Sequence, residues 1–358
     1  MSLTGLPGTL VTVPPRDVLE WLLQPDNPPV RYLTLTNLLH KPPESAEVRK
    51  ARARLMDYPV THEILRHTEE FPSDVKDRAY TKYSGPYWQL IFLGQFLADG
   101  KDPRIAGWAQ DILEKRAWVT RAGCQCLTAN MLAAYMRLGY GNHPVVVQET
   151  EALAERTLGD GGIRCAAMDY SLLPHCHMAQ PKLLLCFSLI PPGKRSPAVN
   201  SAIRLLLTNL LDTELFVYVP GHQREWQEVL MHPPKRSELG KGETIKGWVA
   251  GERERFLKSR GFGDRRPKQG WLKFCFPLHY NSDIMEAMYS LALLDVPMSP
   301  QLKKPLEVIR QKMTRQGKWI LENSLNGKML ADVEEKGKPS RWLTYHGHHV
   351  LMHFGATK

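Results

Sequence analysis

Apolar residues recur along this chain with the three- and four-residue spacing of helices, and two kinds of helical segment alternate. Near the start, Val18, Leu19, Trp21 and Leu22 form one stripe, Val30, Leu33, Leu35, Leu38 and Leu39 a second, and Val48, Ala51 and Leu55 a third. Pro28, Pro29, Pro42 and Pro43 separate the stripes, so three short helices are predicted between Pro15 and about Leu55. A less regular stretch follows to Ser84, with a Pro72-Ser73-Asp74 turn and the tyrosines Tyr80 and Tyr83.

Beyond Tyr80 the pattern repeats. Four segments place a polar residue, then proline, then an apolar-periodic helix: Asp102-Pro103, His143-Pro144, Ser196-Pro197 and Ser299-Pro300. Proline at the first helical position gives up no hydrogen bond, and a preceding Asp or Ser caps the open amides, so each pair reads as a helix start. A second, more apolar helix follows most of them, beginning near Pro86, Cys126, His177, Asp283 and Trp342, after turns such as Asp160-Gly161-Gly162 and Gln316-Gly317-Lys318-Trp319. An amphipathic helix alternating with a nearly all-apolar one is the pattern of an outer and an inner ring, because only the inner ring is covered on both sides. The expectation is an all-α protein: an α/α toroid over residues 80–358, with residues 1–79 as a helical segment packed on it. At about 214–270 the repeat breaks into a stretch rich in Arg, Lys, Gly and Glu, with loop signals at Pro233-Pro234-Lys235-Arg236 and Gly261 to Pro267. It reads as a surface excursion over one end of the toroid, either a lid or a plain insertion.

Composition narrows the class. In 358 residues, 43% apolar and 23% charged is a globular profile. Apolar runs such as Leu183 to Ile190 are too short to cross a bilayer and no leader pattern opens the chain, so a cytoplasmic protein is expected. The net charge of +10 is concentrated in Lys235 to Lys268 rather than along a helix face with aromatic neighbours, which argues against nucleic acid and leaves an anionic substrate or partner open. Six cysteines are too few for a disulfide scaffold in so long a chain. Cys186 and Cys275 sit in apolar runs and read as core. The other four fall between Gly123 and Pro181, as Cys124-Gln125-Cys126, Cys165 and His175-Cys176-His177, and clustered thiols point to metal or reactive sulfur.

The glycine turns Asp160-Gly161-Gly162-Ile163 and Gln316-Gly317-Lys318-Trp319, with the run from Leu321 through Glu335-Lys336-Gly337-Lys338-Pro339-Ser340-Arg341-Trp342, carry a resemblance. Over roughly Tyr80 to His353 the chain is similar to the terpenoid cyclase and protein prenyltransferase superfamily, in particular its bacterial prenyltransferase-like members. In such a toroid the amino ends of the inner helices share one mouth, which would bring Tyr83, Cys126, His177 and Asp283 to a rim with Tyr345 and His346. The prenyltransferases of that superfamily hold zinc with Asp, Cys and His from such ends. Here the implied ligands are Cys124, Cys126, Cys165, Cys176 and His177, a Cys₃His or Cys₄ set, although no Asp-x-Cys pair exists. Ordinary buried cysteines beside a surface histidine are the alternative. The cyclase motifs Asp-x-Asp-Asp and Asp-Asp-x-x-Asp are both absent. A single acid is then the candidate, and Asp283 is the best placed, unless it serves only as a helix cap. His346, His349 and His353 share one helical stripe that suits metal, protons or an anion, or is merely a polar face.

These features point to an enzyme with a cavity for a hydrophobic, isoprenoid-like substrate, doing lyase, cyclase or transfer chemistry through zinc or a carboxylic acid. Asp283, Tyr83 and His346 are its candidate catalytic residues. The alternative is a non-catalytic ligand- or partner-binding toroid with a structural zinc.

Overall fold

The computed structural model describes residues 13–68, 80–120, 124–163, 169–173 and 175–355. The protein is mostly helical. Three short helices open the chain as expected, α1 (Arg16–Leu22), α2 (Pro28–Leu33) and α3 (Ala46–Ala53). The stretch read as irregular contains a further helix, α4 (Pro59–Thr68), which buries Val60, Ile64 and Leu65 on one face. The Pro72-Ser73-Asp74 turn lies outside the described residues.

The alternating series follows: α5 (Pro86–Gln95), α6 (Pro103–Lys115), the single turn α7 (Ala117–Thr120), α8 (Gln125–Tyr135), α9 (Pro144–Gly159), α10 (Gln180–Ser188) and α11 (Pro197–Leu211). After α12 (Gln223–Met231) and α13 (Ile245–Arg260) come α14 (Ile284–Leu293), α15 (Lys303–Gln311) and α16 (Arg341–Gly355). The proline-led starts at α6, α9 and α11 are capped as their chemistry requires. Asp102 accepts a hydrogen bond from the Arg104 amide at 3.0 Å, His143 Nδ1 from Val145 at 3.3 Å, and Ser196 Oγ from Val199 at 3.1 Å. Ser299-Pro300 opens a tight turn that leads into α15.

Burial separates the two kinds of helix. Every residue of α5 and α8 is buried, as are Gln180 to Phe187 of α10 and Ile284 to Ala292 of α14. By contrast α6 buries one stripe, Ile105, Ala109, Ile112 and Leu113. The buried helices pack in succession, α5 on α8, α8 on α10, α10 on α14 and α14 on α16, while α9 and α11 pack on each other and on α8 and α10 from outside. At Gly94 the approach is so close that a Cβ would stand 2.8 Å from the Ala134 Cα, so only glycine lets α5 and α8 meet there. The N-terminal α2 rests on α16, and Asn37 donates to the Tyr345 hydroxyl at 2.7 Å.

The basic excursion is more regular than its composition suggests. On either side of the first loop signal, α12 and α13 enclose a small core of Leu172, Trp226, Val249 and Phe256. They grip residues 169–173: Trp226 Nε1 donates to the Tyr170 carbonyl at 2.9 Å and Arg253 Nε to that of Ser171 at 2.7 Å. Strand β1 (Tyr218–Val219) pairs antiparallel with β2 (Arg266–Pro267) at its base, and β3 (Trp319–Ile320) pairs with β4 (Pro339–Ser340) before α16. Lone Trp and Phe residues spaced along a charged run are enough to make amphipathic helices when another segment covers them.

Segment 274–283 threads between the buried helices. Phe276 stacks on Trp342 with centroids 4.3 Å apart, and Gln95 exchanges two 2.8 Å hydrogen bonds with the Leu278 backbone. His279 meets the Tyr83 ring at 5.6 Å, and Tyr280 meets Trp88 at 4.8 Å.

Candidate functional site

At the amino ends of the buried helices, several of the expected rim residues meet. The sulfurs of Cys124, just before α8, and Cys126, in its first turn, lie 3.2 Å apart. The Tyr280 hydroxyl donates to that of Tyr80 at 2.9 Å, and burial pushes its pKa up, reinforced by Tyr80 and by the neighbouring Cys124 and Cys126 thiols. Tyr83 packs edge-on against Trp88 at 4.8 Å; burial lifts its pKa to about 12, with the nearby Cys275 adding to the rise. His177 precedes α10, its Nδ1 3.2 Å from the Gln180 amide nitrogen, and burial lowers its pKa with help from His175 and Arg265. Arg265 belongs to the excursion, so that insertion reaches the same end of the molecule. Cys165 lies outside the described residues, and among those described no three or more His, Cys, Asp or Glu side chains are grouped to hold a metal.

Beneath the rim lies a polar cluster that sequence reasoning only half anticipated. Asp283 caps α14: Oδ1 accepts from the Glu286 amide at 2.8 Å and Oδ2 from the Cys275 amide at 2.7 Å. Burial nonetheless raises its pKa to about 7, because two amide bonds do not replace lost hydration and Glu286 adds like charge. His279 donates Nδ1–H to the Pro277 carbonyl at 3.2 Å, with the Cys275 sulfur 3.5 Å away. Burial and the Lys182 charge depress its pKa to about 3, so it is neutral. The hub is an ion pair that the sequence reading missed. Lys182 Nζ of α10 contacts both carboxylate oxygens of Glu286 of α14 at 2.6 Å, and neither side chain has any exposed surface. The available signal was a lone lysine and a lone glutamate, each at the start of an otherwise apolar helix.

The histidines of α16 take separate duties. His348 donates to the Gly317 carbonyl and His353 to that of Val296, each at 2.8 Å. His346 and His349 stand 4.2 and 5.2 Å from the Tyr289 ring, and the Nδ1 of each is buried without a partner among the described residues. Burial drops the His346 pKa to about 3 and that of His349 to about 4, so both imidazoles are neutral. His346 lines a half-open pocket of about 150 Å³ bounded by Arg137, Leu189, Leu278, Tyr289 and Trp342. His346, expected at the rim with Tyr345, lies instead in the wall of this pocket at the carboxyl ends of α5, α8, α10 and α14, and Arg137, beside it, is a second residue that the sequence reading passed over. A larger cleft of about 660 Å³ lies on the outer side of α15 and the end of α16, among Lys303, Lys304, Glu307 and Phe354, away from every candidate residue.

Among the described residues, no helix is long and apolar enough to cross a membrane. Comparison with protein-family models, with curated proteins and with solved structures finds no match to this chain.

Proposed function

We propose that the chain is an enzyme of α/α-toroid architecture, of the terpenoid-cyclase and prenyltransferase design, which works on a hydrophobic, isoprenoid-like substrate at the rim formed by the amino ends of its buried helices. The observation that carries this reading is the convergence of Cys124, Cys126, Tyr80 and Tyr280 at one end. The alternation of wholly buried and one-sided helices supports the ring, and the 5.9 Å contact of Phe96 beside α5 with Trp342 of α16 brings its first and last buried helices together.

Part of the donor chemistry suits zinc. The Cys124 and Cys126 sulfurs, 3.2 Å apart, are soft ligands, but among the described residues Cys176 and His177 are not grouped with them, so a zinc there would have to draw the segment before α10 toward α8, with Cys165 as a further ligand. Gln180 Oε1 is buried with no partner among the described residues. Turning that amide over lets Oε1 accept from His177 Nδ1–H and leaves Nε2 with its lone pair, the tautomer a metal needs. A bound zinc would supply Lewis acidity, or a thiol or water of lowered pKa. The rings of Tyr80, Tyr83, Trp88 and Tyr280 offer apolar area and electron-rich faces to a hydrophobic or cationic species. Asp283, buried with His279 and Cys275, carries a proton over part of the neutral range and is the carboxylic acid this reading calls on.

A second reading, a non-catalytic binding toroid with a structural zinc, is favoured by the small space among the buried helices. The pocket beside His346 is about 150 Å³, against roughly 300–1,000 Å³ for ordinary ligand sites. One set of measurements separates the two: metal analysis of the purified protein and of Cys126→Ala and Cys165→Ala, with product analysis on isoprenoids from geranyl to squalene length. Turnover in the parent, with folded variants that lose both zinc and turnover, is expected from the enzyme. Zinc without turnover, and variants that unfold, would establish the structural role. Parent protein free of zinc would remove the metal from both readings.

A further inference from the structure

A half-open pocket at the opposite, carboxyl end of α5, α8 and α10 has an arginine in its wall. Arg137 follows α8 and is ringed by Leu189, Leu278, Tyr289, Trp342 and His346. Among the described residues its guanidinium has no hydrogen bond or ion pair, whereas the nearby buried lysine, Lys182, is fully matched by Glu286. Arg137 is only partly covered, and it lines the void, so its five donors have open space to face. Other polar groups there are engaged or uncharged. Gln95 is tied to the Leu278 backbone, Asn37 and Tyr289 both contact the Tyr345 hydroxyl, and His346 is neutral with Nδ1 unpaired.

A guanidinium with no carboxylate beside it, sheltered on one side by apolar walls and open on the other, presents its donors to an anion that enters from solvent. We propose that this cavity is a binding site for a small organic carboxylate, held by the Arg137 guanidinium with its apolar body against Leu189, Leu278 and Trp342. Two carboxylate oxygens match the guanidinium fork, and one negative charge matches one positive charge. A phosphate dianion would bring an excess charge that no second cation on the wall balances. The volume equals that of about five liquid waters, which suits a short-chain or single-ring acid and excludes a prenyl chain. The site is separate from the cysteine rim, so it stands or falls independently of the zinc and of the isoprenoid reaction.

The test is a thermal-shift and calorimetric titration of the full-length protein above neutral pH with benzoate and butyrate, against chloride and inorganic phosphate at equal ionic strength. Saturable stabilisation by a carboxylate, with neither control matching it, is expected. Arg137→Met should weaken carboxylate affinity at least tenfold while melting no lower than the parent when ligand-free, because it removes an unmatched charge. Leu189→Phe, which fills the void and leaves the charge, should also lose binding. A response equal to that of chloride or phosphate, undiminished affinity in Arg137→Met or in Leu189→Phe, or a ligand-free Arg137→Met that melts well below the parent would each overturn the proposal. Cys126→Ala should bind the carboxylate as the parent does.

Discussion

Removing one member of the Lys182–Glu286 pair tests the packing of α10 on α14 at its most sensitive point. Charges this close, with Nζ 2.6 Å from both oxygens, attract by ~5 kcal/mol at the effective dielectric that suits protein sites. Withdrawing each ion from water costs several kcal/mol, so the intact pair contributes little net stability. Lys182→Met abolishes the attraction and keeps the Glu286 desolvation, since that side chain has no exposed surface, and should lose about 3–5 kcal/mol. Glu286→Gln should lose a similar amount, whereas Lys182→Met with Glu286→Leu, which fills the space with apolar volume, should recover most of it. Denaturant unfolding followed by far-ultraviolet circular dichroism reads these differences. Because Lys182 favours the Asp283 carboxylate and disfavours imidazolium at His279, its loss should also raise the pKa of both, as proton titration by NMR would detect. Single variants within about 1 kcal/mol of the parent, or a double variant that loses the sum of the singles, would refute the account of a matched, desolvated pair.

Two further outcomes follow from burial and close contact. Gly94→Ala should destabilise by about 1–3 kcal/mol, because the added Cβ meets the Ala134 Cα at 2.8 Å and a backbone atom cannot rotate away; a melting temperature equal to the parent's would contradict this contact. Stability should fall steeply as pH drops from about 6.5 to 4. His279, His346, His348 and His349 have folded pKa values of about 3 to 4, so each takes up a proton on unfolding in that window and each contribution is lost as pH falls. Asp283 at about 7 and Glu334, raised by burial, act in the opposite sense, holding protons when folded that they release when unfolded. Four imidazoles against Asp283 leave a net uptake of at most about three protons, or ~4 kcal/mol per pH unit, which Glu334 lessens, and a flat profile across the window would show that the histidines are not held neutral.

What could be read from the sequence was decided within a few residues, and what could not was decided across the molecule. A proline at the first helical position with Asp102 or Ser196 before it carries its own hydrogen bond, so α6 and α11 begin where local chemistry says. The wholly apolar character of α5 and α8 likewise states that both sides are covered without saying by what. The α4 helix and the helices of the basic excursion were missed because their apolar residues are sparse, and Trp226 has meaning only against Leu172 and Phe256. The contact of Cys124 with Cys126 is a matter of one turn, yet its role depends on thiols from other segments.

The interior shows the same division most sharply. Lys182, Glu286 and Arg137 each interrupt an apolar run, and a lone charge in such a run must be matched, neutralised, faced with a ligand or left open to water. Sequence alone raises that question for all three and answers it for none. Placement of α10 against α14 answers it for Lys182 and Glu286 by pairing them. Phe276 and Leu278 of segment 274–283 help to bound a half-open pocket beside Arg137 that is too small for a long substrate but large enough for a small anion. The buried pair is matched within the fold because neither charge can reach water, whereas Arg137, partly open to solvent, needs no internal partner and is left free to meet an anion from outside.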